Sequence, residues 1–365
     1  TCEAIRRAAA EWGFAYLKLD FIYATALRGR YHDPTLTRAQ VLRHAMESIR
    51  QVIGNKVTLL GCGAPLGSML GVVDLMRIGP DVSASWHPYF LGLRKLIKNE
   101  PSVPCARNSM RSILTRANLH KHWWVNDPDC LLIRPDSELS LHEVRSLATA
   151  IGVTGGTILL SDDLPGLPAE RQHIAEVLLP VLGERARLVD WFDSFIPARV
   201  RVDLLNETGE WQVLAAFNWQ DQPEDIQITL DDFKLAEGEY FTREFWSGEL
   251  ESLTAEKALI FPKVPAHGCV LLSARRVDDD KPIFVGSTLH FSQGVEVAEW
   301  KPFDGGVRAT LRLPRHTAGE IYFHHPGEVK GVEVNGVPGH INVYGNKIYS
   351  VAVEVDGFAH IQING

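Results

Sequence analysis

The feature that most constrains this chain is a repeating order in its first half: a short apolar run of strand length, a polar or charged tip, then a helical stretch. Residues 1–13, TCEAIRRAAAEWG, place Ile5, Ala8, Ala9 and Trp12 on one side at helical spacing and end at a glycine. FAYLKLD reads as a buried strand. A helix is predicted over about Thr37 to Ile53, capped at Thr35 or Thr37 and closed by Gly54. The strands KVTLLG and VVDLMRI follow, then HWWVN (122–126) and GTILL (156–160), with helices near 107–119, 140–151 and 168–182. Strands alternating with helices imply a parallel α/β layout. The polar tips fall after the strands, at Asp20, Cys62, Arg77 to Asp81, Asn126 to Asp129 and Ser161 to Asp163. In a TIM barrel that rim carries the chemistry. Five strands are counted, whereas a barrel needs eight, and the chain opens on a helix, as though inside a βα repeat.

From about Pro197 the pattern changes. RVRVD, WQVLAAFNW and DIQITL alternate or run apolar at strand length, with no long helix between them. An antiparallel β-sandwich is expected to about Ser273. ARRVDDDKP (274–282) is the expected linker, and a second all-β unit should follow, with Asn335-Gly336 as a hairpin turn. The expected division is 1–192 for the C-terminal part of a barrel, 193–275 for the sandwich and 276–365 for the second β unit.

At 365 residues, 45% hydrophobic and 22% charged, the chain can bury a large core without disulfides or metals. The net charge of −8 and the lack of a Lys/Arg patch argue against nucleic acid or an anionic membrane as partner. Five widely spaced cysteines with no C-x-x-C pair argue against a disulfide framework or zinc site and favour free thiols in a reducing, cytoplasmic compartment. Thr1 is not a natural start, so processing is compatible with the sequence.

Two motifs hold the chemical interest. In Lys18-Leu19-Asp20 the side chains two apart share one face of a strand, and a lysine beside a carboxylate keeps it ionised, as a nucleophile requires; a strand-end salt bridge is the plainer reading. In Arg77-Ile78-Gly79-Pro80-Asp81 the arginine leaves an apolar strand and Gly-Pro turns the chain, so Asp81 is held near the same rim; an Arg–Asp pair stapling a turn is the plainer reading. Two carboxylates on different strand ends suit glycoside hydrolysis, one attacking the anomeric carbon and the other serving as acid and then base.

The strings YLKLDF, LLGCGAPLG, VVDLMRIGPDVSASW and WWVNDPDCLLIR, in that order over about residues 1–190, resemble the α-galactosidases of glycoside hydrolase family 36 and their clan relatives. The resemblance implies a (β/α)8 barrel of which about the last five strands are present, followed by β-sandwich domains. It implies that Asp20 is the nucleophile and Asp81 the general acid/base. It implies that Lys18 and Arg77 contact sugar hydroxyls, and that Cys62 lies near the sugar 2-position with Gly63 leaving room. The family's first three barrel strands, with a Trp and acidic residues for the 4- and 6-hydroxyls, have no counterpart and would lie before Thr1, as would its N-terminal β-sandwich.

The implied activity is retaining hydrolysis of terminal α-D-galactosyl residues from a carbohydrate substrate. Galactosyl transfer, action on α-N-acetylgalactosamine and non-catalytic carbohydrate binding are the alternatives. No cofactor or metal is expected, and a homo-oligomer is compatible with the sequence. Trp86 is a candidate platform for a sugar face, with core packing as the alternative. Asp127 and Asp129 in NDPD either orient the site or bind backbone N–H groups, and Ser161-Asp162-Asp163 is a rim cluster or a turn. His120-Lys121-His122 lacks a third ligand nearby. His324-His325 is expected to be exposed.

Overall fold

The computed structural model describes residues 2–89 and 100–365. Helix α1 (Cys2–Ala10) leads into strand β1 (Tyr16–Leu19). Helix α2 (Arg38–Ile53) begins at a capping box: the Thr37 hydroxyl accepts from the Gln40 N–H while the Gln40 side chain accepts from the Thr37 N–H. It ends at Gly54, where φ is 64°. Strands β2 (Thr58–Gly61), β3 (Leu75–Arg77) and β4 (Val125–Asp127) join β1 in one parallel sheet of order β1-β2-β3-β4. Leu42, Met46, Ile49 and Ile53, one face of α2, are buried with Leu59 and Met76 of the strands.

Strands β5 (Cys130–Leu131) and β6 (Leu159–Leu160) pair only with each other, also in parallel. Among the described residues, then, the expected five-strand run is a four-stranded sheet plus a separate two-residue pair, and they do not close into a barrel. HWWVN enters the sheet only at Val125, because His120 to Trp124 form a turn of their own. Helices α3 (Ala106–Thr115), α4 (Leu141–Val153) and α5 (Ala169–Glu176) complete this part. The helix predicted over 168–182 stops early, ahead of Pro180, whose ring cannot continue it.

The antiparallel region starts with β7 (Arg187–Leu188) and continues through β8 (Arg199–Asn206), β9 (Gly209–Phe217), β10 (Glu224–Ile228), β11 (Tyr240–Glu244), β12 (Leu250–Leu253), β13 (Leu259–Val264) and β14 (Cys269–Arg276). Six of these form a sheet of order β12-β11-β14-β9-β8-β7, and β10 pairs with β13. Strand β9 shows why its sequence is a continuous apolar run. Val213, Ala215 and Phe217 pack with α3 and α4, while Leu214 and Ala216 pack on the other side with Ile228, Phe233 and Phe261.

The last sheet is built on two long strands. Strands β15 (Ile283–Ser287), β16 (Val297–Phe303), β17 (Gly306–His324), β18 (Gly331–Val334), β19 (Val337–Gly339), β20 (Ile341–Val343) and β21 (Ile348–Asn364) join, with β17 and β21 paired along most of their length. Asn335 and Gly336 have φ of 52° and 79°, so the β18–β19 turn is the two-residue hairpin predicted.

Two expectations are corrected here. Ala274, Arg275 and Arg276 are not linker but the end of β14. Arg275 is buried, with its guanidinium over Trp211 at 4.5 Å and bonded to Thr208 Oγ1 and the Gln293 carbonyl, and burial brings its pKa down to about 9. Charge made this segment look exposed, but the charge is enclosed where the two antiparallel sheets meet. His324 and His325 are likewise buried, because His324 ends β17 against Phe241 of the neighbouring sheet.

Gly155 marks a tight crossing: φ is 72°, and a Cβ there would lie 2.2 Å from the Glu184 carbonyl oxygen. Gly155→Ala should cost at least about 1–3 kcal/mol from backbone strain alone, before the clash is counted. Urea unfolding measures this, and a midpoint equal to wild type would contradict it.

Candidate active site

Parallel pairing sets the order of side chains along the C-terminal rim. Leu19 pairs with Gly61, Gly61 with Met76 and Arg77 with Asp127. One residue beyond those pairs, Asp20, Cys62 and Arg77 come side by side, with Asp127 next along the row. Lys18 shares Asp20's face of β1, and its Nζ lies 3.7 Å from Asp20 Oδ2.

Asp20 is held from several sides. Phe21 sits in the left-handed region at φ 52°, and its N–H donates to Asp20 Oδ1 at 2.7 Å. A bulky residue at positive φ is uncommon, and such outliers concentrate at functional sites. Gly63, also at positive φ, brings the next loop so close that a Cβ there would lie 3.3 Å from the Phe21 nitrogen and 3.5 Å from Asp20 Oδ1. Partial burial raises the Asp20 pKa, but the Cys62 thiol, the Phe21 N–H, Lys18 and Arg77 outweigh it, so the carboxyl sits below its ordinary value. Burial, together with the bond to Asp20, pushes the Cys62 thiol up to about 11. Cys62 is therefore a neutral donor to a carboxylate and not a thiolate nucleophile.

Arg77 is the hub of the rim. Its side chain is only 4% exposed, and it meets three carboxylates. Nε donates to Asp127 Oδ2 at 3.0 Å, Nη1 to Asp81 Oδ1 at 3.0 Å, and Nη2 lies 2.7 Å from Asp129 Oδ1. The turn that presents Asp81 is packed tightly: a Cβ on Gly79 would lie 2.8 Å from Ser112 Cβ of α3, and Arg116 donates to the Ile78 carbonyl. Asp127 is fully buried, whereas the Asp81 side chain is 73% exposed and that of Asp20 44%. The rim thus offers two carboxylates that a solute can reach, both within the field of one enclosed guanidinium.

Sequence reasoning singled out Lys18, Asp20, Cys62, Gly63, Arg77 and Asp81, and the structure brings these together. Trp86 is placed elsewhere. It is 5% exposed, and its ring stacks on His267 at 4.3 Å, so core packing describes it and a sugar platform does not. Asp127 and Asp129 take both roles the sequence allows, gripping Arg77 and accepting from backbone N–H groups. Asp129 Oδ2 also accepts from the Val82 N–H, tying β4 to the loop that follows Asp81. Two acids flanking a proline one strand away from an arginine were the available signal. Asp162 is a brace, accepting from the Ile133 and Arg134 N–H groups. His120 is buried and accepts from the Asn126 N–H.

No protein-family model matches the chain. Among solved structures, α-galactosidase I from Mortierella vinacea is similar over 74% of this chain and 70% of its own, at 16% identity and TM-score 0.55. A GH27 β-L-arabinopyranosidase from Geobacillus stearothermophilus is similar over 76% of this chain and 61% of its own, at 17% identity and TM-score 0.56. An α-galactosidase from Thermus thermophilus, in complex with p-nitrophenyl α-D-galactopyranoside, matches 55% of this chain and 38% of its own, at 32% identity and TM-score 0.42. The first two likenesses are ones of fold.

Proposed function

We propose that this rim belongs to a retaining glycosidase that releases terminal α-D-galactosyl residues, of the family 36 type to which its motifs are similar. The observation that supports this best is the pair of solvent-reachable carboxylates, Asp20 and Asp81, organised by the single buried guanidinium of Arg77. In the proposed reaction Asp20 attacks the anomeric carbon while the aglycone oxygen takes a proton from Asp81. Asp81 then removes a proton from water, which attacks the same carbon and releases Asp20. A low carboxyl pKa suits Asp20 as nucleophile, because it is ionised without help from a base. Lys18 and Arg77 have donors left for sugar hydroxyls. The solved structures of like fold add a prior, since those named above are glycosidases.

The test is turnover of p-nitrophenyl α-D-galactopyranoside by a protein carrying this chain, beside its Asp20→Ala variant. Release of nitrophenol by the wild type and none by the variant supports the reading. Equal release by both removes Asp20 from the role. Saturable galactose binding without turnover would turn the reading to carbohydrate recognition.

A further inference from the structure

The chain leaving Asp81 runs through Trp86 and His87 to a second cluster that shares no residue with the rim and does not rest on the glycosidase reading. His87 Nε2 lies 3.0 Å from Asp221 Oδ1, and His267 Nε2 lies 3.1 Å from the same oxygen. The three donor atoms fall within 4.8 Å of one another. On its other side, His267 Nδ1 is 2.7 Å from Glu143 Oε1. Glu143 thus fixes the ring from behind, with Nε2 turned to Asp221.

Each part of this arrangement is fixed from outside it. Glu143 is the N3 residue of α4 and is held in a capping box with Ser140. The His267 ring lies flat on Trp86, with 14° between the planes, and its backbone is held at φ 60°. The donors come from three places: the loop after β3, the β9–β10 connection and the β13–β14 turn.

We propose that His87, Asp221 and His267 form a site for one divalent cation of the zinc type, with Glu143 orienting His267 from behind. Ligand bonds of about 2.0–2.2 Å put tetrahedral donors roughly 3.3–3.5 Å apart, so the two His–Asp spacings of 3.0 and 3.1 Å need only small adjustment, and the two imidazole nitrogens already lie within 4.8 Å of each other. Two imidazole nitrogens and one carboxylate select zinc, cobalt or nickel over magnesium or calcium, which prefer oxygen ligands. A carboxylate behind a histidine is the usual outer partner of such ions. The ion would tie the loop carrying Asp81 to two turns of the antiparallel sheet.

The test is calorimetric titration of the chelator-stripped chain with zinc chloride, repeated with magnesium chloride. Saturable binding of one zinc per chain and none of magnesium is expected, with visible ligand-field bands when cobalt replaces zinc. His87→Ala and Asp221→Asn should each weaken binding at least about tenfold, and Glu143→Gln by about 10–100-fold. Glutamine keeps the capping box intact, so a merely structural role for Glu143 would leave zinc affinity unchanged. His87 and Asp221 are partly exposed, and the metal-free melting temperatures of their variants should match wild type, so these two carry the test even if His267→Ala does not fold. No saturable zinc binding up to about 1 mM, or equal affinity in His87→Ala, would show a closed hydrogen-bonded cluster instead and overturn the proposal.

Discussion

Replacing Asp20 with glycine is expected to lower turnover of an aryl α-galactoside on the order of 10⁴-fold or more, as removal of a covalent nucleophile does in other enzymes, and azide should restore part of the loss. The geometry behind this is local. Asp20 is reachable, it is ionised through Cys62, Phe21, Lys18 and Arg77, and the neighbouring Cys62 thiol is kept neutral and does not take its place. Glycine leaves a space beside Lys18 where a small anion can sit. Azide entering that space attacks the anomeric carbon from the face Asp20 served, while the aryl oxide departs, and forms the β-galactosyl azide. Chromatography and proton NMR of the product decide the matter. An α-configured azide would place the nucleophile on the opposite face. Full loss in Asp20→Gly with no azide product, at a melting temperature equal to wild type, would assign Asp20 to binding instead.

Much of the rim was legible because it depends on local rules. Period-two alternation puts Lys18 and Asp20 on one face, and the order of parallel strands puts Cys62 and Arg77 beside them. The caps of α2 were readable because Thr37 and Gly54 act through their own backbone neighbourhood. What escaped prediction depends on partners distant in the chain. Trp86 looked available for a sugar, yet its ring meets His267, which arrives from a turn of the antiparallel sheet. Arg275 looked like linker because charge correlates with exposure, but Trp211, Thr208 and Gln293 converge to enclose it. His324 is buried for the same kind of reason, against Phe241. The five expected strands all form, but the short β5 and the failure of the sheet to close were not legible, because a two-residue strand carries no pattern of its own and closure is set by which edges meet.

Arg77→Met should be the most destabilising single change at the rim, by about 3–5 kcal/mol. The guanidinium is enclosed with the fully buried Asp127 and the nearly buried Asp129, and among the described residues it is the cation that meets both. Methionine fills most of the volume but leaves two carboxylates facing each other in a poorly solvated space. Among the described residues, Asp127 would then keep one hydrogen-bond donor, the Asp129 N–H at 2.8 Å. Arg77→Lys separates charge from shape. One ammonium cannot reproduce the fork that meets Asp127, Asp81 and Asp129 together, so its stability should fall between wild type and Arg77→Met, while Asp81 loses its tether and turnover falls with it. The decisive measurement is a double-mutant cycle by urea unfolding. If unpaired buried charge causes the loss, adding Asp127→Asn to Arg77→Met should recover part of it, although Asp127→Asn alone destabilises. Strictly additive losses would mean that Arg77 stabilises by packing alone, and the rim would then lack the electrostatic hub on which both carboxylates depend.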